Sequence, residues 1–562
     1  MKEDKRTILS VLPARTSPAC HVMKIAPRLE SDIKKCEIRM NIGMFFDGTN
    51  NNMDRDFSTR AHTNIARLYE SYRVGQAQGF HRIYIPGVGT KFPEIGEFAE
   101  STMGAACAFG CEGRVIYGLL AILNLLHHQC FSENMFSGNA AMALCRNGSS
   151  VSLGADIETL NKLGEDRGLL EPEIGVGTRR IFLTRQCKIL ENKLKKSKLR
   201  VVECFVDVFG FSRGAAEARV FCSWLNELLV DGRLAGVLMR FRFVGIIDTV
   251  ASAGFWSGAM AFATKSTGGH GAWASAEALR LPSNVQNCVH MVAMHELRRN
   301  FPLDVIGIGG GIQKGWLQYA YPGSHSDVGG GYRPGELGIA VGDDSQKLSQ
   351  IPLNHMLECA DAAGAPLSKA DARAEGYDPF AIHPDLAKAY DDFITQATLS
   401  PRPIYDWLQP YLNWRWQVRE RYHLTNQVTR ASKVDREVLL SHNRILIGDA
   451  GVLAQQNKNR GFGQLTQTAM KSLFMSRERS EATRSRSLEP EARSILAIAQ
   501  KSKPTPPSFV RLFDDYVHDS LAGFNSPVLE SPGHWRYRRI YLGTDDHTIA
   551  SAYDVDAVMS AA

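Results

Sequence analysis

The sequence predicts an α/β fold built on a largely parallel sheet with helices on its faces. Short apolar β-rich runs recur along the chain, and each ends in a turn rich in Gly, Pro or Asp. Stretches of helical periodicity separate them. The clearest unit is "VECFVDVFGFSRGAAEARVFCSWL", residues 202 to 225, where an apolar run, a tight turn and an amphipathic run follow one another.

Taken in order, residues 1 to 36 are polar and mixed and read as a lead-in. "CEIRMNIGMFFDGTNNN" is a strand pattern that stops at Asp47-Gly48-Thr49, and "HRIYIPGVGT" is a second one that stops at Pro86-Gly87. Between them "TNIARLYESYRV" has helical spacing, and Gly104 to His128 reads as a long apolar helix. Residues 131 to 176 are Gly/Ser-rich and read as an insertion or lid-like segment. "TRRIFLTRQCKILENKLKKSK" is a basic amphipathic helix leading into the strand before Ser212. "FRFVGIIDTV", "NCVHMVAMHE" and "GWLQYAYPGSH" supply further strands, although the second also suits a helix start. These runs place an α/β domain at 37 to 365, and a more helical C-terminal module at 366 to 562.

With 562 residues, 44% hydrophobic and 22% charged, the chain has the composition of an ordinary globular protein with two or three domains. A net charge of +6 from 65 basic and 59 acidic residues excludes a strongly basic nucleic-acid scaffold and permits mild attraction to anionic headgroups. Eleven cysteines follow no paired spacing, which suits buried small apolar residues in a reducing compartment; no zinc-type ligand spacing stands out. No secretory signal segment is visible, and "VIYGLLAILNLL" falls short of the about 20 residues that cross a bilayer.

Gly210-Phe211-Ser212-Arg213-Gly214 fits G-x-S-x-G, a weak pattern by itself. Its context is stronger. A near-continuous apolar strand precedes it, and Phe221, Trp224, Leu225 and Leu228 after it form one helix face. This is the nucleophile elbow of an α/β-hydrolase, with Gly210 and Gly214 relieving crowding and a helix N-terminus aimed at the serine. A purely structural turn is the competing reading.

A serine nucleophile needs an imidazole base oriented by a carboxylate. Asp248 ends an apolar strand downstream of the elbow, where catalytic groups of parallel sheets collect. Asp207 is a rival, but precedes Ser212 on the same strand. His325 in "YAYPGSHSDVGGGY" is the candidate base, and His518 in "DDYVHDSLAGF" the runner-up; His290 and His295 read as core residues. The oxyanion hole calls for the Arg213 amide plus that of Asp47 or Gly48. Oxygen ligands in "HSDVGGG" would allow a metal, yet nothing requires one, and no cofactor is expected.

The ordered set "FFDGTNNN", "DVFGFSRGAA", "IIDTVAS", "PGSHSDVGGGY" and "IPLNHML" resembles the α/β-hydrolase domain of bacterial type VI secretion lipase effectors, the first lipase-effector family. "VHDSLAGF" is similar to the tail of the same effectors. The resemblance implies an antibacterial phospholipase of the A class, with Ser212 as nucleophile, Asp248 as acid and His325 as base. It further implies carriage by a secretion spike protein, action in the periplasm and on membranes of a target bacterium, a cognate immunity protein, and a second module that helps peripheral membrane contact. Trp407, Trp414 and Trp416 among arginines suit such an interface, and equally suit a packed helix. Two other functions share the sequence features: a serine esterase of another lipid or polyester, and a non-catalytic module of the spike.

Overall fold

The computed structural model describes residues 10–16, 20–27, 36–101, 110–146, 154–165, 169, 178–251, 272–308, 311–372, 377–397, 402–458, 492–524 and 533–543. Its strands are β1 Ser10–Pro13, β2 Glu37–Phe46, β3 Phe80–Ile85, β4 Arg200–Phe211, β5 Arg233–Leu234, β6 Val237–Ile247, β7 Cys288–Ala293, β8 Leu303–Asp304, β9 Trp316–Tyr321, β10 Arg402–Pro403 and β11 Ile540–Tyr541. The main sheet has the order β10-β1-β9-β7-β6-β4-β2-β3, with β5 alongside β6. The pairings from β1 to β3 are parallel, and only β10 and β5 join antiparallel. This is the α/β-hydrolase-like class that the strand and helix pattern predicts.

Parallel pairing buries both faces of the sheet, and β4 shows the consequence in its side-chain alternation. Cys204, Val206 and Val208 enter one hydrophobic cluster, with the helices Cys111–Phe131, Thr178–Leu194 and Arg213–Glu227. Phe209 and Phe211 enter the other, with the helices Gln350–Ala363, Pro384–Ala397 and Ile404–Val418.

One element differs from the sequence expectations. Ser10–Pro13, inside the expected lead-in, is a strand between β9 and β10. A four-residue strand carries too little pattern to stand out in a polar segment. The hydrophobic cluster on the second face runs through the 365/366 boundary, from Phe209 to Trp414, Phe513 and Trp535. β11 likewise pairs with β8 in a separate two-stranded sheet. The long apolar helix is Cys111–Phe131, since the first part of the expected span lies outside the described residues. In 131 to 176, the helix Gly138–Cys145 packs into the first cluster, and no described residue of that stretch lines the cavity discussed below. The Arg/Glu/Ser-rich stretch "SRERSEATRSRSLEPEARS", whose composition reads as a linker or surface loop, lies mostly outside the described residues.

Trp407 and Trp414 are buried, and Trp416 packs edge-on against Trp535. The stretch is therefore a packed helix. Among the described residues, no helix is long and apolar enough to cross a membrane.

Asp207, the rival carboxylate, is committed to the core. It accepts from Tyr72 Oη at 2.8 Å and from both Nε and Nη2 of Arg242, linking β4 to β6. Replacing Asp207 by Ala would strand a buried guanidinium. The expected loss is about 3–5 kcal/mol of stability, read from the urea midpoint at constant m-value.

Candidate active site

The strand register gathers the site. Phe46 pairs with Gly210, Phe211 with Ile247, and Ile247 with Met291, so β2, β4, β6 and β7 end together. The next residues, Asp47, Ser212 and Asp248, therefore leave the sheet along one edge. β9 pairs Tyr321 with Ala293 and delivers the turn before His325 to the same edge.

Ser212 sits at φ 60° and ψ −125°, immediately before the helix Arg213–Glu227. A non-glycine residue there is strained by roughly 1–3 kcal/mol. Two bonds hold it: Ser212 N–H donates to Ile247 O at 3.0 Å, and Ser212 O accepts from Val250 N–H at 3.1 Å. The flanking glycines are required by close packing. A Cβ on Gly210 would stand 2.4 Å from Gly214 O, and one on Gly214 would stand 2.3 Å from both Phe46 O and Asp47 O.

Asp248, at φ 42°, is fully buried and accepts four hydrogen bonds. His325 Nδ1–H donates to Oδ2 at 2.6 Å, and Arg538 Nη1 donates to the same oxygen at 2.7 Å. Ala293 N–H and Arg538 Nη2 each donate to Oδ1 at 2.8 Å. Burial alone would raise this carboxyl, but Arg538 and His325 hold it well below the usual carboxylate range.

His325 opens a single helical turn, His325–Gly329, capped reciprocally by Ser324 and Asp327. Its ring lies between Phe211 and Phe301, with centroids 4.6 and 4.9 Å away. Its own N–H donates to Glu296 Oε2 at 3.1 Å, and Arg298 and Ser520 hold that carboxylate in turn. Burial pushes the imidazole below its ordinary value, against the pull of Asp248. With Nδ1–H given to a carboxylate, Nε2 carries the lone pair, and it is buried with no hydrogen-bond partner.

Ser212, Arg213 and His325 line a cavity of about 680 Å³. Phe211, Phe301, Phe524, Leu337 and Val438 give it apolar walls, and Arg55 and Arg298 also line it. The size and mixed lining suit a small-molecule or lipid ligand.

The remaining predicted residues divide. Arg213 is the first residue of its helix, where a backbone N–H has no intrahelical acceptor. Asp47 N–H donates to Ile85 O at 2.9 Å, and Gly48 N–H donates to Asp47 Oδ1 at 2.7 Å. Both amides offered for the oxyanion hole are thus engaged; the neighbouring Thr49 lines the cavity, with its hydroxyl buried and unpartnered. His518 Nδ1 bonds Asp327 Oδ1 at 2.5 Å and stacks on Tyr332, and it is not among the lining residues. It braces the turn that carries His325. His290 and His295 are buried and pushed down to about 3 by desolvation, as core histidines.

Sequence reasoning missed Arg538 and Glu296. Nothing in "GHWRYRRIYLG" distinguishes Arg538 from its basic neighbours, because its partner lies 290 residues away.

Fold and site together define an α/β-hydrolase-like protein with a serine elbow and a His–Asp pair on one cavity. Residues 233–359 match the family model of the type VI secretion phospholipase effector Tle1-like catalytic domain, so the resemblance carried by the motifs is borne out in that segment. It contains Asp248 and His325. The chain is also similar to the crystal structure of an uncharacterized protein from Pseudomonas aeruginosa, with 26% identity and TM-score 0.64, over 90% of this chain and 79% of that one. The structure of the Tle1 effector bound to the VgrG spike from the type 6 secretion system matches at 17% identity and TM-score 0.33, over 66% of this chain and 83% of that one. No curated protein matches the chain.

Gly214→Ala tests the elbow packing. The added methyl would have to displace two backbone carbonyls, so stability should fall by about 1–3 kcal/mol, measured by chemical denaturation.

Proposed function

We propose that the chain is a serine phospholipase of the A class that cleaves acyl esters of membrane phospholipids. The observation that carries this reading is the 2.6 Å His325–Asp248 bond beside a strained serine on one partly apolar cavity. The match of residues 233–359 to a phospholipase-effector catalytic domain supports the substrate class.

In this mechanism Ser212 Oγ attacks the acyl carbonyl while His325 Nε2 takes its proton. Asp248 keeps Nδ1 protonated and stabilises the imidazolium. The Arg213 amide, at the positive end of its helix, faces the developing oxyanion, with the Thr49 hydroxyl as a second donor in reach of the same cavity. His325 then returns the proton to the leaving alcohol, and water, deprotonated by the same imidazole, hydrolyses the acyl-enzyme. Phe211, Phe301 and Phe524 suit the acyl chain, and Arg55 and Arg298 suit the phosphate.

The family description, a type VI secretion phospholipase effector, supports a secreted effector. We extend the proposal to an antibacterial toxin carried by a spike protein, acting at the membranes of a target bacterium and countered by an immunity protein in the producer. Trp407 and Trp414 are packed inside, so they do not supply the peripheral membrane contact.

Purified protein on defined phospholipid vesicles should release free fatty acid and lysophospholipid. Ser212→Ala should lower that rate by at least about 10⁴-fold with the fold intact by circular dichroism. Release that persists in the variant, or cleavage on the phosphate side of the glycerol, refutes the assignment.

His325 is pushed down by burial, so the acid limb of the kcat/KM profile should have its midpoint below the ordinary histidine value of about 6.5. Arg538→Met removes a cation beside the pair. Protonating the imidazole then costs less, and the limb should move to higher pH.

A further inference from the structure

Outside the cavity lining, three side chains with soft or borderline donor atoms converge. Cys20 comes from the N-terminal segment; His355 and Cys359 lie one helical turn apart on Gln350–Ala363. The spacing of four places both on one face of that helix. A ring nitrogen of His355 and the two sulfurs all lie within 4.8 Å of one another, and the sulfurs are 3.2 Å apart. We propose that Cys20, His355 and Cys359 form a binding site for a thiophilic divalent cation of the zinc type, which clips the N-terminal segment onto the helix.

Two further observations support a ligand. His355 is 1% exposed and gives its Nδ1 to the Tyr321 hydroxyl, while its Nε2 is buried without a hydrogen-bond partner. Leaving such a group unsatisfied costs roughly 1–3 kcal/mol, and a metal would use that lone pair. The Nδ1 contact to Tyr321 is the second-shell bond that fixes the orientation of a ligating imidazole. Metal bonds of about 2.3 Å to sulfur and about 2.0 Å to nitrogen need only small side-chain rotations from these positions.

The charge balances as well. Each cysteine loses its thiol proton on binding, so one M²⁺ exchanges for two H⁺, and the site M(S⁻)₂N is neutral overall. A neutral centre suits a pocket where Cys359 and His355 are buried. Cys20 is half-buried, which leaves a way in and room for water as a fourth ligand.

The surroundings give the clip its effect. The segment after Cys20 is held by Met23 N–H to Asn287 Oδ1 at 2.8 Å, and by Ile25 N–H to Ala363 O at 3.0 Å. Before it, β1 depends on short pairings with β9 and β10. A metal tying Cys20 to Cys359 would close a loop across 339 positions and secure that edge. The sequence shows no zinc-type spacing at this cluster because His355 and Cys359 lie close together in the chain and Cys20 does not.

The test does not depend on hydrolysis. Full-length protein, reduced and stripped with a chelator, is titrated with Co²⁺ and then Zn²⁺. One Co²⁺ per chain should give thiolate charge-transfer absorption and the intense visible bands of tetrahedral coordination, and Zn²⁺ should bleach both. Cys20→Ser and Cys359→Ser should each lose the charge-transfer intensity, Cys36→Ser should keep it, and Zn²⁺ should raise the melting temperature of the wild type and of Cys36→Ser but not of the other two variants. No stoichiometric binding by reduced wild type, or a weak six-coordinate spectrum that Cys20→Ser leaves unchanged, overturns the proposal. So does a freshly purified protein that is two hydrogens lighter, with Cys20 and Cys359 joined in one peptide. Ester hydrolysis by the Cys20→Ser form stays a separate measurement, so either reading can fail alone.

Discussion

The buried Asp248 carboxylate is the constraint around which the chain is arranged. An ionised group removed from water is costly unless every lone pair finds a donor. Here the donors come from three directions: Ala293 N–H at the end of β7, His325 after β9, and the fork of Arg538 from the C-terminal segment. Each of those elements must be in place before the charge is satisfied. The carboxylate is therefore a fold constraint as much as a group that orients an imidazole.

That requirement explains why the C-terminal segment is inseparable from the sheet. Arg538 Nη2 also donates to Ala293 O, and two residues later β11 pairs with β8. Nearby, Tyr405 Oη donates to Arg538 O, so the helix Ile404–Val418 fixes the arginine backbone. His518 makes a parallel tie through Asp327 to the turn bearing His325. The later third of the chain thus supports the pair through Arg538 and His518, and it also walls the cavity with Val438 and Phe524.

The parts legible in the sequence are those whose signal is local. Ser212 was readable because a buried strand, two glycines and a helix stripe occur within 24 residues. Asp248 and His325 were readable as polar residues where apolar strands stop. The oxyanion loop was legible only as a neighbourhood: "FFDGTNNN" does reach the cavity, but which amide is engaged depends on the Asp47 side chain folding back onto Gly48. Arg538 had no local signature because its partner lies 290 residues away, Glu296 because its role rests on the His325 amide in another turn, and the strand β1 because it has only four residues of pairing. The tryptophan stretch is the packed helix that the sequence allowed, with one detail the pattern did not carry. Its arginines suggested an exposed face, yet Arg415 is fully buried and lies over Tyr422 at 3.7 Å.

The double claim on Asp248 also shapes the base. An isolated carboxylate beside His325 would favour the imidazolium and hold the ring protonated toward neutral pH. Arg538 takes up part of that charge, and the aromatic walls of Phe211 and Phe301 exclude water from the ring. Both effects disfavour a resting positive charge on His325, so its Nε2 lone pair is available before substrate arrives. The same effects weaken the base. In the proposed mechanism the helix N-terminus that follows Ser212 works in the compensating direction, because its positive end would stabilise the negative charge that develops on the substrate oxygen. In the proposed mechanism base strength and oxyanion stabilisation are in this way divided between two ends of the site, with burial and the Arg298 guanidinium set against a charge on the imidazole and Arg538 set against the charge of its carboxylate.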